Sequence, residues 1–408
     1  MMQIYLVGGA VRDQLLGLPV HEKDWVVVGS TPEALLAQGF KPVGKEFPVF
    51  LHPETREEYA LARTERKAGQ GYKGFTVYAH PEVSLIEDLQ RRDLTINAMA
   101  RSDEGEIIDP YGGQNDLKNR CLRHVSPAFI EDPVRVLRVA RFMARLAPLG
   151  FRVAPETIEC MKQVVAHNEL SALIPERIWK EILLALSAAE PVAFIRTLKA
   201  CHALKWILPE IDALYGIPEP LSWFPEGDAG IHTELALARA TALTQDVEVR
   251  GAVLFHDIGK SKTPPELWPQ HLGSEARSEP MIYEMAERLK WSKSFTQLSL
   301  LTAKYHGFVH KADKLSPRIL LEVLENTDAF RRTARFEQFL IACKAEALGH
   351  LGFEHDDYRQ DDVMRQALLA AQRVQIQSLI TNQTCQGEAL KESIRQVRVA
   401  AIHTFLQR

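Results

Sequence analysis

The sequence predicts an α+β protein, in which a head of mixed strands and helices precedes a body that is helical throughout. Within residues 1–125, short apolar runs of strand length alternate with short helical patterns. From about residue 150 onward, apolar residues recur at helical spacing. Residues 215–230 are rich in proline and glycine and indicate a boundary between helical units. We therefore expect four domains, spanning residues 1–125, 126–215, 216–325 and 326–408.

The overall composition restricts the kinds of partner and compartment. The net charge is −4, so a nucleic-acid partner would need locally basic faces. The five cysteines are scattered, without the spacing of a zinc site or a redox pair, which is typical of a reducing compartment. Neither a signal-peptide pattern nor an apolar run long enough for a bilayer is visible. We expect a cytoplasmic protein without membrane contact.

The first structural unit reads as a strand, a glycine turn and a helix. Ile4–Val7 is a short apolar run that ends at Gly8 and Gly9, and Ala10–Leu16 follows as a helix. Paired glycines let backbone N–H groups approach a ligand closely, and Arg12 on the first helical turn adds a positive charge. This turn is a candidate anion site.

A pair of carboxylates follows the glycine turn. Glu22 and Asp24 are two residues apart and lead into the strand Trp25–Val28, so strand alternation predicts that they share a face. Together with the glycine turn they indicate a divalent metal and a nucleotide triphosphate. Glu58, in the predicted strand Glu57–Arg63, is a third acidic candidate. The alternative for each carboxylate is a solvated strand end.

The rest of the first 80 residues contains two further predicted elements and a loop. Thr31 and Pro32 begin a helix that Gly39 ends, and Phe47–Leu51 reads as a strand. Residues 64–80 are polar and rich in glycine and lysine, so we expect a mobile loop.

Residues 84–100 read as one helix with an arginine inside its apolar stripe. Arg92 falls among Leu89, Ile96 and Met99 on the face predicted to be buried. A buried guanidinium needs an anionic partner, which could be a carboxylate or a triphosphate. Snorkelling of the side chain to the surface is the third possibility.

Residues 126–145 contain a second helix with an arginine in its stripe. Pro133 is predicted at the first helical position with Asp132 as N-cap, and Arg135 interrupts the apolar stripe. Simple capping would explain Asp132, and a solvated basic face would explain the arginines on the flank, which are Arg138, Arg141 and Arg145.

Histidines of the second half form a candidate metal site. His256 is followed directly by Asp257, and neutral imidazoles with an aspartate are suitable ligands for a transition metal. The other candidate ligands are His232, His271 and His306, although a lone histidine is more often structural.

Several of these runs resemble the class II CCA-adding enzymes, within the superfamily of tRNA nucleotidyltransferases and bacterial poly(A) polymerases. LVGGAVRD, the carboxylate pair before a strand, RRDLTINAMA and EDPVRVLRVARF occur in the family's order. HDIGK resembles the HD metal-hydrolase module of one bacterial branch. The resemblance implies a polymerase-β-like nucleotidyltransferase palm with a mixed sheet, an all-α neck with the base-reading motif, an HD-like domain and a helical tail that contacts tRNA.

The resemblance also implies a role for each candidate residue. Glu22 and Asp24 would hold Mg²⁺, with Glu58 resembling the third carboxylate. The triphosphate would be bound by Gly8, Gly9, Arg12 and Arg92, and the ribose by Asp93. The base-reading motif corresponds to Glu131, Asp132 and Arg135, supported by Arg138 and Arg141. The HD-like ligands would be His232, His256, Asp257, His271 and His306, holding Ni²⁺ or another transition metal. The implied partners are tRNA, ATP and CTP, for a monomer or weak homodimer.

The choice of base follows from hydrogen-bonding edges. Cytosine and adenine both present an amino donor beside a ring-nitrogen acceptor, so Asp132 can accept from the first and Arg135 can donate to the second. Uracil and guanine reverse this order and would leave a buried acceptor unpaired. One pocket could thus accept CTP and ATP without a nucleic-acid template.

Two departures from the family pattern bear on activity. The family's first metal carboxylate is usually aspartate, and Glu22 carries one more methylene, which moves the carboxylate by roughly 1 Å. HD modules often carry another histidine three residues after the position of His271, where this chain has Ser274. No aspartate directly follows His306.

Four other functions compete with full CCA addition. The nearest is a poly(A) polymerase of the same superfamily, which shares the motifs. A CC-only or A-only enzyme is a weaker alternative. A metal-dependent phosphohydrolase with a weakened transferase head is supported by Glu22, and a non-catalytic tRNA-binding protein is weaker still.

Overall fold

The computed structural model describes residues 2–43, 49–67, 75–222, 224–375 and 388–407. The chain divides into two compact units, Met1–Ile207 and Leu208–Arg408. The finer division into four domains stays a prediction. None of the described helices is both long and apolar enough to cross a membrane.

The first unit is built on a mixed sheet that has seven strands within the described ranges, in the order β3-β4-β5-β2-β1-β8-β9. Strand β2 pairs antiparallel with β1 and parallel with β5, and the other neighbours pair antiparallel. The strands of this sheet are β1 (Gln3–Val7), β2 (Asp24–Val28), β3 (Lys41–Val43), β4 (Val49–Leu51), β5 (Glu58–Leu61), β8 (Ala100–Arg101) and β9 (Ile107–Ile108). Smaller pairs are formed by β6 (Thr64–Lys67) with β7 (Phe75–Tyr78), and by β10 (Cys121–Leu122) with β11 (Arg152–Val153).

Strand β2 is covered on both faces, which explains its continuous run of valines. Val26 and Val27 are both 1 % exposed and belong to two different apolar clusters. Because successive side chains of a strand point to opposite faces, one valine joins each cluster. A slip of β2 by one residue would exchange the two faces, and burial on both faces is compatible with such a slip only because both are lined by valine.

The first unit contains nine α-helices within the described residues. Predicted signals for α2 are confirmed, since Thr31 caps the helix by accepting from the Ala34 N–H and Pro32 is the first residue. The helices are α1 (Gly9–Leu15), α2 (Pro32–Ala37), α3 (Leu85–Gln90), α4 (Gly113–Lys118), α5 (Val134–Leu146), α6 (Pro155–Ala166), α7 (Pro175–Leu186), α8 (Pro191–Ala200) and α9 (Leu204–Ile207).

The predicted loop over residues 64–80 is wrong where the chain is described. Residues 64–67 and 75–78 form the antiparallel pair β6 and β7, with Thr64 opposite Tyr78. The run Phe75–Tyr78 consists only of aromatic and β-branched residues, which favour a strand despite the polar composition of the whole segment. The intervening residues 68–74 lie outside the described residues. Of the predicted strand Phe47–Leu51, residues 49–51 form β4 and residues 47 and 48 lie outside the described residues.

The single helix predicted over residues 84–100 is also wrong. Helix α3 ends at Gln90, and the chain then makes a short 3₁₀ turn at Thr95–Asn97 before strand β8. The Thr95 hydroxyl donates to Asp116, and the Thr95 N–H donates to the Arg123 carbonyl. These tertiary bonds compete with helical ones at a β-branched residue of modest helix propensity.

The helix predicted from Pro133 begins one residue later. Pro133 is the N-cap of α5, and the Val134 N–H donates to the Asp132 carboxylate at 3.2 Å. Asp132 is therefore placed at the start of α5 with its carboxylate turned back onto the first helical N–H.

The second unit is helical throughout its described residues, which completes the predicted α+β fold. Its core joins the faces of seven helices around residues such as Phe336, Phe339 and Leu340, each 0 % exposed. The helices are α10 (Pro209–Asp212), α11 (Ala229–Leu243), α12 (Val247–Leu254), α13 (Ser274–Leu289), α14 (Lys293–Val309), α15 (Pro317–Asn326), α16 (Thr333–Ala347), α17 (Gln360–Gln372) and α18 (Glu388–Leu406).

Candidate active site and candidate metal centre

The register of the sheet brings two predicted carboxylates together. Asp24 is the first residue of β2 and lies opposite Val7, the last residue before the glycine turn. On the other side of β2, Asp24 is the register partner of Glu58 in β5. Partners on adjacent strands point to the same face, so the two carboxylates stand side by side at the sheet edge that carries the turn.

Glu22 reaches the same place without belonging to the strand. It lies two residues before β2, so strand alternation does not position it as the sequence predicted. The pKa of Asp24 is nevertheless raised, first because protein atoms crowd the carboxylate and then because the negative charge of Glu22 is close, while Arg92 opposes the shift. Asp24 is still open to solvent from the cleft. Crowded like charges of this kind are stabilised by a cation.

The glycine turn is in direct contact with Arg92. Gly8 has φ +69° and ψ −129°, and its N–H donates to the Met99 carbonyl. A Cβ at Gly8 would lie 2.9 Å from Nη1 of Arg92. The fully buried Asp88 in turn binds Nη2 of Arg92 at 3.3 Å. The turn therefore needs glycine both for its backbone conformation and for the approach of this guanidinium.

Arg12 is buried beside the turn. It is 2 % exposed, and Nε donates to Asp13 at 2.9 Å while Nη1 donates to Asn97 at 2.7 Å. Its guanidinium carbon lies 5.0 Å from the centre of the Phe142 ring, which also contacts Arg141 at 4.3 Å. Aromatic faces of this kind stabilise closely spaced cations.

Asp93 is held as an anion by several donors. Its Oδ2 accepts from Arg138 Nε at 2.7 Å, and its Oδ1 accepts from the Leu94 N–H and the Asn97 amide. Burial alone would raise the pKa of Asp93, but the Arg138 charge and these hydrogen bonds hold it well below its usual range.

The proposed base-reading residues Asp132 and Arg135 have protein partners in the cleft, and the Arg135 N–H donates to the Asp132 carbonyl. Asp132 is bound by Arg177, whose Nη2 and Nη1 lie 2.9 and 3.3 Å from its two carboxylate oxygens. Arg135 donates to the carbonyls of Ala128 at 2.7 Å and Arg91 at 2.6 Å. The polar partners of this buried guanidinium include backbone carbonyls, which a helical pattern cannot reveal.

Every residue predicted for the nucleotide site except Glu131 lines one cleft of the first unit, with a volume of about 1,080 Å³. Nine arginines and six carboxylates line it. The cleft is therefore locally basic although the whole chain carries a net charge of −4. The arginines are Arg12, Arg63, Arg91, Arg92, Arg135, Arg138, Arg141, Arg145 and Arg177.

Several residues of this cleft were missed by sequence reasoning. Asn97 lies in the run RRDLTINAMA but was read as part of a helix, and Arg177 lies on α7. Glu181, one helical turn beyond Arg177, binds Arg141 Nε at 2.5 Å. The i, i+4 spacing of Arg177 and Glu181 was the available signal, because it places both on one face of α7.

The second unit contains a buried cluster of histidines that share one arrangement. Each has its Nδ1 within 3.0 Å of an oxygen acceptor, which leaves Nε2 to face other members of the cluster. The Nε2 atoms of His232, His256 and His310 make no hydrogen bond of normal geometry within the described residues. An acceptor on Nδ1 fixes the tautomer that offers Nε2 to a metal. The histidines are His232, His256, His306, His310 and His350.

Carboxylates complete this cluster. Glu346 Oε1 lies 3.5 Å from Nε2 of His232 and 3.6 Å from Nε2 of His350, and Oε2 lies 2.5 Å from Nε2 of His310. Among the described residues there are two sets of three residues whose possible ligand atoms all lie within 4.8 Å of one another inside the set. One set is Glu226, His232 and His350, and the other is His232, His256 and Glu346.

The predicted ligands of this module fall into different environments. Asp257 Oδ2 lies 2.9 Å from His256 Nε2 and 2.7 Å from Lys260 Nζ, and Asp257 Oδ1 lies 3.9 Å from His306 Nε2. His271 directs Nε2 at the Pro218 carbonyl at 2.8 Å and belongs to neither donor set. Its predicted role as a ligand stays a prediction.

Carboxylates and imidazoles of the cluster shift the pKa values of one another. Burial would lower the pKa of His350, but hydrogen bonds to Glu226 and Glu346 raise it to about 9. Burial would likewise raise the pKa of Glu346, yet the His310 charge and three histidine contacts hold it well below its usual range. A bound cation would displace protons from its ligands.

Comparisons with known proteins agree with this architecture. Residues 4–123 match the family profile described as the poly(A) polymerase head domain, and residues 150–215 match one described as a probable RNA- and SrmB-binding site of polymerase A. The multifunctional CCA protein of Alkalilimnicola ehrlichii is 53 % identical over 401 residues, which cover 98 % of this chain and 97 % of that protein. That of Pseudomonas fluorescens is 54 % identical over 404 residues, covering 99 % and 98 %.

Solved structures share the fold. The Bacillus stearothermophilus CCA-adding enzyme in complex with CTP aligns over 99 % of this chain and 89 % of its own, with 22 % identity and a TM-score of 0.66. The Thermotoga maritima CCA-adding enzyme complexed with tRNA aligns over 98 % of this chain and 87 % of its own, with 18 % identity and a TM-score of 0.63. Sequence identity of 53 to 54 % over nearly the whole chain shows that this protein belongs to the family of the multifunctional CCA proteins, among the class II CCA-adding enzymes.

Proposed function

We propose that this protein adds C, C and A to the 3′ end of tRNA from CTP and ATP, releasing pyrophosphate without a nucleic-acid template. The observation that carries the proposal is the cleft of the first unit. Asp24 and Glu58 stand there beside a glycine turn and among nine arginines. The family membership and the names of the relatives support the same reaction.

The carboxylates fit a divalent cation. Asp24 and Glu58 are register partners, and the crowding and like charge that raise the pKa of Asp24 are relieved by a bound cation. Carboxylate oxygens are the ligands that Mg²⁺ prefers, so we assign Mg²⁺ to Asp24 and Glu22 with Glu58 beside them. The ion would supply activation of the attacking hydroxyl and charge neutralisation on the leaving pyrophosphate.

The residues around the turn fit the rest of the nucleotide. Gly8 and Gly9 place no side chain between their backbone and the cleft, and the guanidinium groups of Arg92 and Arg12 lie close to where Cβ atoms would stand, which suits a phosphate. Asp93, held ionised by Arg138, is an acceptor suited to a ribose hydroxyl. Contacts to the phosphates and the ribose do not distinguish the bases, so base selection must come from another part of the cleft.

Asp132 is our candidate for reading the amino group shared by cytosine and adenine. Its carboxylate lines the cleft and is fixed in orientation by Arg177 and the Val134 N–H. Arg135 contacts backbone carbonyls in this structure, so donation to the base would require it to share or leave one of them. Glu131 lies outside the lining of the cleft, and its role stays a prediction.

The test is direct. The protein is incubated with tRNA lacking its 3′ terminus, labelled CTP or ATP and Mg²⁺, and the products are sequenced. Ordered addition of C, C and A is the expected result. A run of A residues would instead identify a poly(A) polymerase, and products ending in CC or gaining only A would identify a partial enzyme. No addition at all would refute the proposal.

A variant of Asp132 tests the base-reading step separately. The variant Asp132→Ala should lose the preference for CTP and ATP over UTP and GTP, because the acceptor for the amino group is gone. Incorporation of all four nucleotides into the same tRNA measures this preference. Unchanged selectivity would reject the role of Asp132 while leaving CCA addition in place.

We also propose a metal-dependent phosphohydrolase activity in the second unit. The observation that favours it is the set of imidazoles whose Nδ1 atoms are occupied and whose Nε2 atoms face Glu346 and Asp257. Imidazole nitrogens with carboxylates suit Ni²⁺ or a similar transition metal. His232 and His256 with Glu346 would hold the ion, which would supply an activated water for phosphoester hydrolysis.

Metal analysis and turnover test this second activity independently of transfer. Wild-type protein titrated with Ni²⁺ should bind it and hydrolyse a chromogenic phosphodiester, and His232→Ala should lose both properties. His202→Ala, in the first unit, is a matched control that should keep them. If His232→Ala binds and hydrolyses like the wild type, the cluster is not the metal site.

Three further proposals concern the RNA contacts, the compartment and the oligomeric state. We place the RNA contacts in the predicted helical neck, residues 126–215, and in residues 326–408. Binding to RNA phosphates there should weaken with added salt. We expect a cytoplasmic protein that acts as a monomer or weak homodimer. Salt-dependent tRNA binding and sedimentation of the purified protein measure these properties.

A further inference from the structure

Asn97 connects two parts of the nucleotide cleft that are far apart in sequence. Its Oδ1 accepts from Arg12 Nη1 at 2.7 Å, and its Nδ2 donates to Asp93 Oδ1 at 3.0 Å. All three side chains are buried, with exposed fractions of 5 %, 2 % and 5 % for Asn97, Arg12 and Asp93. One amide thus joins a residue beside the glycine turn to the carboxylate proposed for the ribose.

The orientation of this amide is fixed by its neighbours. A guanidinium can only donate hydrogen bonds and an ionised carboxylate can only accept them. Only the orientation with Oδ1 toward Arg12 and Nδ2 toward Asp93 satisfies both, so rotating the amide by 180° would break two buried bonds. The Asn97 backbone is also held, because its N–H donates to the Leu94 carbonyl within the 3₁₀ turn.

The hydrogen bonds of Asp93 show that the Asn97 amide restrains one of its two carboxylate oxygens. Oδ1 accepts from both Asn97 and the Leu94 N–H, whereas Oδ2 accepts from Arg138 alone among the hydrogen bonds of the described residues. The carboxylate is therefore anchored through Oδ1, and Oδ2 keeps capacity for one more donor. A ribose hydroxyl in the cleft is a donor of the right chemistry.

We propose that Asn97 is a positioning residue that sets the preference for ribonucleotides over deoxyribonucleotides by fixing the Asp93 carboxylate. The inference rests on the proposed function, in which Asp93 contacts the ribose of the incoming nucleotide. Asn97 does not contact the sugar itself. It acts through Asp93, and it couples that carboxylate to Arg12, so that the ribose and triphosphate parts of the site are held in one geometry.

Other side chains at position 97 cannot make both contacts. Alanine makes neither, and Arg12 and Asp93 would each lose a buried partner. Aspartate keeps an acceptor for Arg12 but directs a second negative charge at Asp93 and cannot donate to it. Removing Asn97 should therefore leave Asp93 with only the Leu94 N–H and Arg138 as donors, which widens the range of orientations of its carboxylate and weakens its selection of the 2′-hydroxyl.

The experiment is a double-mutant cycle on equilibrium binding of CTP and 2′-deoxy-CTP to the full chain without tRNA. The proteins are wild type, Asn97→Ala, Asp93→Asn and the double variant, with Asn119→Ala as the control for an exposed asparagine outside the cleft. We expect wild type to prefer CTP, and Asn97→Ala to lower that preference about tenfold, the effect of one hydrogen bond to a charged group. In the Asp93→Asn background, Asn97→Ala should change the preference by less than about twofold. Asn119→Ala should bind like wild type.

The outcomes separate this inference from the proposed reaction. An equal drop in both backgrounds, or an unchanged CTP preference in a folded Asn97→Ala protein, would overturn the inference. Equal binding of the two nucleotides by wild type would also overturn it. Because the readout is binding, failure to extend tRNA would refute the proposed function without altering the result. If circular dichroism shows Asn97→Ala to be unfolded, the same cycle is run with Asn97→Ser.

Discussion

Replacing Gly8 by alanine tests the contact on which the nucleotide site depends. Gly8 combines φ +69° with ψ −129°, a conformation available almost only to glycine, and its added Cβ would lie 2.9 Å from Arg92 Nη1. The matched control is Gly17→Ala. Gly17 has the same φ of +69°, but nothing lies within 4 Å of its added Cβ.

The expected magnitudes follow from these two environments. Backbone strain should destabilise Gly17→Ala by about 1 kcal/mol and Gly8→Ala by about 2 to 3 kcal/mol. In Gly8→Ala the guanidinium of Arg92 must also move by about 0.5 Å to reach an ordinary contact of 3.4 Å. Arg92 is tied to the buried Asp88, so this shift displaces a charge that we place on the triphosphate. A displacement of about half an ångström should lower kcat/KM for CTP about tenfold.

Two measurements decide the outcome. Urea unfolding gives the free energy of unfolding of each variant, and single-nucleotide addition to tRNA gives kcat/KM. We expect both variants to lose stability and only Gly8→Ala to lose activity. If the two variants lose activity equally, or if Gly8→Ala keeps wild-type kcat/KM, the contact between the turn and Arg92 does not position the triphosphate.

Three further outcomes are expected. Arg177→Ala should lower the CTP over UTP ratio of kcat/KM about tenfold, with Arg177→Lys intermediate, because Asp132 loses the bidentate partner that orients it; an unchanged ratio would exclude this orienting role. Arg138→Met should lower the free energy of unfolding at pH 7 by about 2 kcal/mol, because Asp93 keeps its charge without its main partner. The folded-state pKa of Asp93 is lowered, so this stabilisation is present above the unfolded pKa of about 4 and is lost as the pH falls through the folded value; urea unfolding from pH 7 to pH 3 should show a constant difference between the wild type and the variant above about pH 4 that begins to narrow below it. Asp24→Asn should abolish nucleotide addition while tRNA binding, measured by filter retention, survives, and substantial residual turnover would remove Asp24 from the metal site.

Short-range patterns in the sequence were sufficient for the elements whose partners are local. The signals at Thr31 and Pro32 gave the start of α2, and Gly8 and Gly9 gave the turn after β1. Residues 84–100 were misread because bonds from Thr95 to Asp116 and Arg123 replaced helical bonds. Those partners lie more than twenty residues away, and no local periodicity encodes them.

The candidate nucleotide site and the candidate metal site show the same contrast between local patterns and long-range partners. Motif spacing alone predicted a nucleotide site at the carboxylates and the glycine turn with Arg12, because each residue type matches the ligand chemistry it would meet. It also identified His232, His256 and Asp257 as candidate ligands. It did not reveal Glu226, Glu346 and His350, which join the cluster only because α11 and α16 pack side by side.

The sequence by itself therefore determined the fold class, the family and the inventory of chemical groups, since these depend on residue type and spacing along the chain. Only the tertiary structure decided which groups are partners. Asp24 stands beside Glu58 because β2 and β5 pair in that register, and Asp132 is bound by Arg177 because α7 packs on α5. Pairings of this kind depend on long-range packing, in which one buried charge accepts whichever partner the fold brings within hydrogen-bonding distance.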